Sequence, residues 1–251
     1  MSQKFPDTLL IGIHSVDSAL SRVPQQLRTI TIAQECRNPR VAELADRARE
    51  AGIPVVIEAR GVIDRRCEEQ KHQDVMADFE ATNVGVEKDI ASHLDSIEGT
   101  PLLLILDGVQ DPHNLGACLR TAEAAGVNMV ILPKDRAASL TPVARRAASG
   151  AAEVLPIFFV TNLARVLRQL KDSGIWLTGT NDRSEQDIYQ ADLSGPLGLV
   201  MGSEGKGMRR LTADLCDFHL RIPMQGSVSS LNVSVATAVC LYEAVRQRTG
   251  A

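Results

Sequence analysis

The chain is poor in several residue classes, and each shortage disfavours a kind of protein. Aromatic residues make up 3% of the 251 residues, with one tryptophan, so a single-strand binder that works mainly by base stacking is disfavoured. The longest apolar runs, such as Leu102–Leu106, fall far short of the ~18 residues of a membrane span. The first seven residues lack the pattern of a secretory signal. We therefore expect a cytoplasmic protein with no membrane contact.

The chain also lacks the spacings of metal and disulfide sites. Its five cysteines are odd in number, no two of them have C-x-x-C spacing, and its five histidines form no H-x-x-x-H pair. A zinc site or a disulfide scaffold is therefore disfavoured, a reducing compartment fits, and we expect no metal.

Neither sign of charge dominates. The chain has 27 Lys+Arg against 31 Asp+Glu, a net charge of −4. Residues 1–100 carry 12 basic and 17 acidic side chains (−5), and residues 101–251 carry 15 and 14 (+1). Such a balance disfavours an indiscriminate coat for nucleic acid. Any RNA contact must be local and specific in shape.

Strand-like and helical patterns alternate in the first part of the chain. The predicted strands are Thr29–Ile32 and Val55–Ile57, and the predicted helices are Val16–Arg22 and Pro39–Ala51. Ser15 is expected to cap the first of these helices. We predict a small α/β domain over residues 1–82. The more polar residues 83–100 are interpreted as a linker with one possible helical turn.

From residue 101 a repeated βα pattern predicts a mostly parallel sheet with helices on both faces. The predicted strands are Leu102–Leu106, Val127–Leu132, Leu155–Val160, Ile175–Gly179, Leu197–Met201 and Phe218–Ile222. The predicted helices are Leu115–Ala125, Thr141–Ala148, Asn162–Ser173, Arg209–Asp214 and Asn232–Arg248.

Three polar loops follow predicted strands, where open parallel sheets bind ligands. The first, from Asp107, opens a helix that carries Asn114 and Arg120; alternatively it is a capping loop beside a surface arginine. The second has glycines at 202, 205 and 207 around Glu204, matches neither the dinucleotide nor the P-loop spacing, and could be a tight turn. The third runs into a helix that Ser230 or Asn232 could cap. Three such loops in one domain indicate a ligand site.

Together the three loops resemble the signature motifs of the SpoU (TrmH) family, in the SPOUT superfamily of RNA ribose 2′-O-methyltransferases. The segments that carry the resemblance are Asn114-Leu-Gly-Ala-Cys-Leu-Arg120-Thr-Ala, Met201-Gly-Ser-Glu204-Gly and Ile222-Pro-Met…Ser230-Leu-Asn232-Val-Ser-Val-Ala. The likeness covers residues 101–248. The preceding domain resembles the L30e-like substrate-binding domain of the family's rRNA branch.

The resemblance implies a SPOUT-type α/β knot: a deep trefoil knot in a mostly parallel sheet with helices on both faces, preceded by a small L30e-like α/β domain. Residues 101–251 would be the catalytic domain, acting on a guanosine ribose of 23S rRNA. The family implies a homodimer through this domain, with the site near the interface. We assign that interface to the apolar face of the last helix, at Val235, Val239 and Tyr242.

The resemblance also implies S-adenosylmethionine as cofactor, held in a bent shape by the knot loops. The cofactor-binding residues are expected to be Thr180, Leu199, Met201, Gly202, Ile222, Met224, Ser230 and Leu231, with direct contacts from the backbone of Gly202, Ile222 and Leu231. The catalytic residues are expected to be Asn114, Arg120, Glu204, Ser230 and Asn232.

The family proposal makes Arg120 the acceptor of the 2′-hydroxyl proton. An arginine side chain stays protonated in proteins, which argues against this role but not against a position of Arg120 beside the 2′-hydroxyl. Ser230 and Asn232 are expected to orient Arg120 or the ribose, and Glu204 to organise its loop.

Other interpretations remain open at this point. A tRNA ribose methyltransferase of the same family, or a non-catalytic RNA-binding or ribosome-assembly factor on the same fold, would share these motifs. A Rossmann-type enzyme would need a glycine-rich first loop that the Asn114–Arg120 segment does not supply. In the first domain, Arg60, Arg65, Arg66, Lys71 and His72 form either an RNA-binding patch or a solvated charged face.

Overall fold

The computed structural model describes residues 8–68, 70–80, 83–182, 184–203, 205 and 207–250. It divides the chain into two compact units. The first comprises Met1–Asn83 and Leu140–Val154, and the second comprises Val84–Ser139 and Leu155–Ala251. Within the described residues, no helix has the length and apolarity that crossing a bilayer requires.

The elements alternate between strands and helices along the chain. Residues 8–80 form β1 (Thr8–Ile11), α1 (Ile13–Arg22), β2 (Leu27–Ala33), α2 (Pro39–Glu50), β3 (Val55–Glu58), α3 (Arg60–Arg66) and β4 (Val75–Phe79). Residues 83–160 form β5 (Val84–Val86), α4 (Ile90–Asp95), β6 (Leu102–Asp107), α5 (Pro112–Ala124), β7 (Met129–Pro133), α6 (Pro142–Ala148), α7 (Ala151–Val154) and β8 (Ile157–Val160). Residues 163–249 form α8 (Leu163–Asp172), β9 (Trp176–Thr180), β10 (Leu197–Gly202), α9 (Arg210–Leu215), β11 (Phe218–Leu220) and α10 (Val233–Thr249). Short 3-10 helices lie at Pro24–Gln26, Glu87–Asp89 and Ile188–Gln190.

The first unit is built on a mixed four-stranded sheet of order β1-β4-β2-β3, in which only the β2–β3 pair is parallel. Helices α6 and α7 belong to this unit and pack against α1 and β1. The sequence pattern had placed Thr141–Ala148 in the catalytic domain, because chain order alone does not show which core a helix joins.

Helices α6 and α7 carry a buried ion pair. The Nη1 atom of Arg145 lies 3.1 Å from Oε1 of Glu153, and the two side chains are 4% and 0% exposed. The Nε of Arg145 and Oε2 of Glu153 have no hydrogen-bond partner among the described residues. Each charge therefore depends on the other for compensation, and removing one leaves an unpaired charge in the core.

We expect Glu153→Ala to destabilise the first unit by about 3–5 kcal/mol, because it leaves the Arg145 guanidinium buried without its partner. The double substitution Arg145→Met/Glu153→Leu removes both charges and should restore most of that loss. Hydrogen exchange measured on peptides from α6 and α7 reports the local free energy of opening. Wild-type protection in Glu153→Ala would contradict the prediction.

The second unit is built on a seven-stranded sheet of order β11-β9-β10-β6-β7-β8-β5, and all six strand pairings are parallel. The predicted mostly parallel sheet is thus confirmed. Side chains on one face, such as Leu103, Ile105 and Ile131, pack with the apolar face of α8. Helices α5 and α10 pack on each other, and α10 contacts β10. The continuous apolar character of β6 reflects burial on both faces.

Residues 83–100 are not merely a linker. Val84–Val86 forms an edge strand that pairs with β8, and α4 buries Ile90 in the core of the second unit. The sequence does not predict this strand because a three-residue strand followed by a polar helix gives little periodic signal. The second compact unit therefore begins at Val84 rather than at residue 101.

The ends of three helices show how local sequence fixes the loops of the second unit and where the prediction failed. Asp111 caps α5 by accepting a hydrogen bond from the backbone of His113 (2.8 Å), which starts the helix earlier than predicted. Asn232 likewise caps α10. In the first unit, Ser15 does not cap a helix: α1 begins at Ile13 after Gly12, and Ser15 is buried within it.

Candidate active site

A cavity of about 780 Å³ lies at the carboxyl ends of β9, β10 and β11 in the second unit. Its walls come from Thr180 at the end of β9, Gly202 at the end of β10, and the chain that leaves β11 toward α10. In a parallel sheet, these strand ends meet along one edge, where backbone groups and loop side chains converge on a ligand. The cavity is therefore where the second and third polar loops come together.

The loop after β10 is a tight turn whose backbone forms one wall. Ser203 and Gly207 exchange two backbone hydrogen bonds of 3.0 and 2.9 Å, and the Ser203 hydroxyl donates to the Gly207 carbonyl at 3.2 Å. A Cβ atom on Gly202 would lie 2.2 Å from the Gly207 carbonyl carbon and 2.3 Å from the Met208 nitrogen. Only glycine at position 202 lets the turn close against the strand in this way.

A buried carboxylate holds the far end of that turn. Asp107, at the end of β6, accepts a hydrogen bond from the backbone nitrogen of Arg209 (2.8 Å) through Oδ2. The Arg209 Nε lies 3.5 Å from the other carboxylate oxygen. The Asp107 side chain is fully buried, so it fixes the position of residue 209 and, through it, of the turn.

The first and third loops meet through an amide–amide contact. The Nδ2 of Asn232 donates to Oδ1 of Asn114 at 3.1 Å, while Oδ1 of Asn232 accepts from the backbone and hydroxyl of Ser234. Asn232 is thus both the cap of α10 and a tie to α5. The N-terminal ends of α5 and α10 therefore lie next to each other.

The structure brings most of the predicted cofactor-binding residues together. The cavity is lined by Thr180, Met201, Gly202, Ile222, Met224, Ser230 and Leu231, with Asn232 among them. Leu199 is the exception: it is buried inside β10, paired in register with Thr178 and Leu104, and supports the wall from behind.

Two predicted catalytic residues are not placed on the cavity wall. Arg120 is exposed on α5 and is not among the described residues that line the cavity. Asn114 does not line the cavity either, but it accepts a hydrogen bond from Asn232, which does. Glu204 lies outside the described residues.

The motifs did not identify several polar or flexible side chains of the cavity. They are Asn181, Asp182, Met208 and Arg221. Asn181 and Arg221 directly follow β9 and β11, so the rule that ligands bind beyond strand ends would have identified them had both strand ends been placed correctly. Arg221 is held by Asp187, with 2.5 Å between Nε and Oδ1.

The cavity lining fits a ligand with both apolar and polar parts. Leu220, Ile222, Met224 and Leu231 offer apolar surface, while the Thr180 and Ser230 hydroxyls offer hydrogen bonds. The close packing of the turn against Gly202 gives this polar and apolar lining one rigid backbone wall. S-adenosylmethionine, with an adenosine and a charged amino-acid end, matches this mixed surface.

In the first unit, the predicted RNA patch is largely committed to internal contacts. His72 is buried: its Nε2 lies 2.7 Å from Asp64 and its Nδ1 accepts the backbone N–H of Asp74 at 3.0 Å. Arg66 pairs with Asp78 at 2.6 Å, and Arg60 lies 3.5 Å from Asp74. Arg65 and Lys71 are exposed, and they are the members of this group best placed to meet RNA.

Comparison with known proteins gives a consistent relationship. A family model described as the SpoU rRNA Methylase family matches residues 101–242, and one described as RNA 2′-O ribose methyltransferase substrate binding matches residues 9–84. The 23S rRNA (guanosine-2′-O-)-methyltransferase RlmB of Pseudomonas putida is 52% identical over 239 residues, which cover 95% of this chain and 96% of that protein.

Solved structures agree with the sequence relatives. The SpoU methyltransferase AviRb from Streptomyces viridochromogenes, in complex with the cofactor AdoMet, superposes with a TM-score of 0.81 at 26% identity, covering 98% of this chain and 92% of that one. The A. aeolicus TrmH/SpoU tRNA modifying enzyme superposes with a TM-score of 0.56 at 30% identity, and the match covers 65% of this chain and 84% of that enzyme's chain.

These matches confirm the predicted fold class, a SPOUT-type α/β knot with a preceding α/β substrate-binding domain. They extend over both units, and the catalytic family model alone spans more than half of the chain. The chain belongs to the SpoU family of rRNA methylases.

Proposed function

We propose that this protein transfers the methyl group of S-adenosylmethionine to the 2′-hydroxyl of a guanosine ribose in 23S rRNA. The observation that carries the proposal is that the second and third motif loops line the same cavity. The helix that bears the first motif contacts the third loop through Asn114. Relatives that bear this activity in their names match nearly the full length of the chain, whereas the tRNA-modifying relative matches only 65% of it. The substrate-binding segment at 9–84 therefore favours rRNA over tRNA.

The cavity residues act mainly by holding and orienting. The backbone of Gly202, Ile222 and Leu231 would hold the cofactor, with Thr180, Met201 and Met224 around it, and Leu199 would support the strand behind. S-adenosylmethionine supplies a methyl carbon already activated by its sulfonium, so the protein needs to align the 2′-oxygen with that carbon and exclude water.

The catalytic residues then divide into contacting and positioning groups. Ser230, on the cavity wall, is suited to orient the ribose. The hydrogen bond between Asn232 and Asn114 fixes the N-terminus of α10 against α5. In the transfer, the 2′-oxygen would take the methyl carbon, S-adenosylhomocysteine would leave, and the hydroxyl proton would pass to water. The permanently charged Arg120 would stabilise the negative charge that develops on the 2′-oxygen. Glu204 is assigned to the organisation of its loop.

A homodimer through the second unit would complete the site. Arg120 is exposed and does not line the cavity of its own chain. On α10, the side chains of Val235 and Tyr242 are about half exposed, and Val239 between them is partly exposed. No described residue of the single chain covers this apolar stripe. A second copy docked there would bring another subunit's α5 and α10 close to the cavity. We place this dimer in the cytoplasm.

Deletion of the gene is expected to remove one ribose methyl group from 23S rRNA and none from tRNA. Mass mapping of 2′-O-methylation in both RNA classes measures this, and the wild-type gene supplied in trans should restore the methyl group. A methyl group lost from tRNA would contradict the substrate assignment. An unchanged methylation map would favour a non-catalytic RNA-binding factor.

A further inference from the structure

A second cavity, of about 420 Å³, lies at the carboxyl ends of the strands of the same sheet, among the strands farther along the sheet order from the first cavity. It lies beyond the carboxyl ends of β5, β7 and β8, and its walls include Lys88, Lys134, Phe159, Arg165 and Gln169. The volume falls within the range of small-molecule sites, and an aromatic ring, three cations and an amide share one lining. No motif residue that the structure describes lines this second cavity.

The cavity has a positive charge excess that its own contacts do not cancel. Its carboxylate, Glu87, is already tied to Arg165 (Nε to Oε1, 2.6 Å) and accepts the Thr161 hydroxyl at 3.1 Å. The hydrogen bond from Arg165 holds the pKa of Glu87 below its ordinary value, so this pair counts as neutral. Lys88 and Lys134, both exposed, remain to attract an anion.

The second cavity shares its edge with the catalytic one. In the sheet order, β6 and β7 separate β10, which bears Gly202, from β8, which bears Phe159. Three strand spacings correspond to about 14 Å. A chain of nucleotides that enters the catalytic cavity and continues along this edge would therefore reach the second cavity within a few nucleotides.

We propose that the second cavity binds one nucleotide of the RNA strand that flanks the methylated guanosine. The phosphate lies against Lys88 and Lys134, and the base stacks on Phe159. This combination of a basic groove with an aromatic ring is the usual way in which proteins hold single-stranded RNA. The inference rests on the proposed function, since it takes RNA as the substrate.

The test compares full-length variants in binding and in methyl transfer to a 23S rRNA fragment. The double variant Lys88→Ala/Lys134→Ala should raise the KM for RNA and leave kcat and the Kd for S-adenosylmethionine unchanged. Its plot of log Kd for RNA against log salt should lose about 0.7 of slope for each phosphate contact removed. Phe159→Leu keeps an apolar side chain in β8 but should weaken RNA binding about tenfold through lost stacking.

Arg168→Ala is the matched control, because Arg168 is an exposed arginine on the same α8 as Arg165 but does not line the cavity. It should behave as wild type. Wild-type RNA affinity and salt slope in both cavity variants would overturn the inference. So would a lysine-dependent response to free GMP without any change in RNA binding, which would indicate a nucleotide effector instead. Since RNA binding is measured apart from methylation, failure of the wild type to methylate the fragment would count against the proposed function alone.

Discussion

Gly202→Ala is expected to abolish cofactor binding and to slow methyl transfer by at least about 100-fold, since misplacement of reacting groups by ~1 Å costs that much. An alanine Cβ would meet the backbone of Gly207 and Met208 at 2.2–2.3 Å. Backbone cannot rotate away as a flexible side chain can, so the Ser203–Gly207 turn must shift. That turn is a wall of the cavity. Calorimetry with S-adenosylmethionine and a methyl-transfer assay measure the two losses.

Gly195→Ala is the control for the general effect of replacing a glycine. Gly195 precedes β10, a Cβ there would have nothing within 4 Å, and its φ is not in the left-handed region. It should bind cofactor and turn over as wild type does. Circular dichroism and thermal unfolding establish that both variants remain folded. Normal cofactor affinity in a folded Gly202→Ala protein would show that the turn does not shape the cofactor site.

The cavity at the strand ends was predictable from sequence because a parallel sheet brings together the loops that follow its strands, whereas its assignment to the cofactor came from the family resemblance. Strands β9, β10 and β11 run in one direction, so the residues that follow them meet at one edge regardless of how far apart they are in sequence. Reading Gly202 and Ser230 as loop residues after strands was therefore enough to bring them together. The alternative interpretation of the third loop as a helix cap is confirmed for Asn232, which caps α10. The same Asn232 side chain also donates a hydrogen bond to Asn114 of the first loop.

Other features depend on packing that local patterns do not encode. Charge and spacing suggested His72 as an RNA contact, but its burial against Asp64 follows from how α3 lies on the first sheet. Helices α6 and α7 join the first unit although they lie between strands of the second. The edge strand Val84–Val86 exists because β8 offers it a partner. In each case a long-range contact, absent from any sequence window, decides the outcome.

Arg120→Ala is expected to lower kcat by about 100–1000-fold, the cost of removing one donor that stabilises a developing oxyanion. Cofactor binding should stay intact because Arg120 is not among the described residues of the cavity wall. The exposed position of Arg120 on α5 also predicts little change in stability. Single-turnover methyl transfer and calorimetry with S-adenosylmethionine separate these effects, with Arg168→Ala as the control. An active Arg120→Ala enzyme would remove the residue from the mechanism.

Mixing two inactive variants shows whether Arg120 serves the cavity of its own chain or that of the partner. If Arg120 of the partner subunit completes each site, a dimer of one Arg120→Ala chain and one Gly202→Ala chain has one site with an intact cavity and an intact arginine. Random mixing makes about half of the dimers mixed, so about a quarter of wild-type activity should return. If Arg120 acts within its own chain, every site in the mixed dimer carries a defect, and the mixture stays inactive. Different affinity tags on two co-expressed variants show by tandem purification that mixed dimers form, so inactivity of those dimers would contradict the shared site. Sedimentation of the wild type as a monomer would contradict the dimer itself.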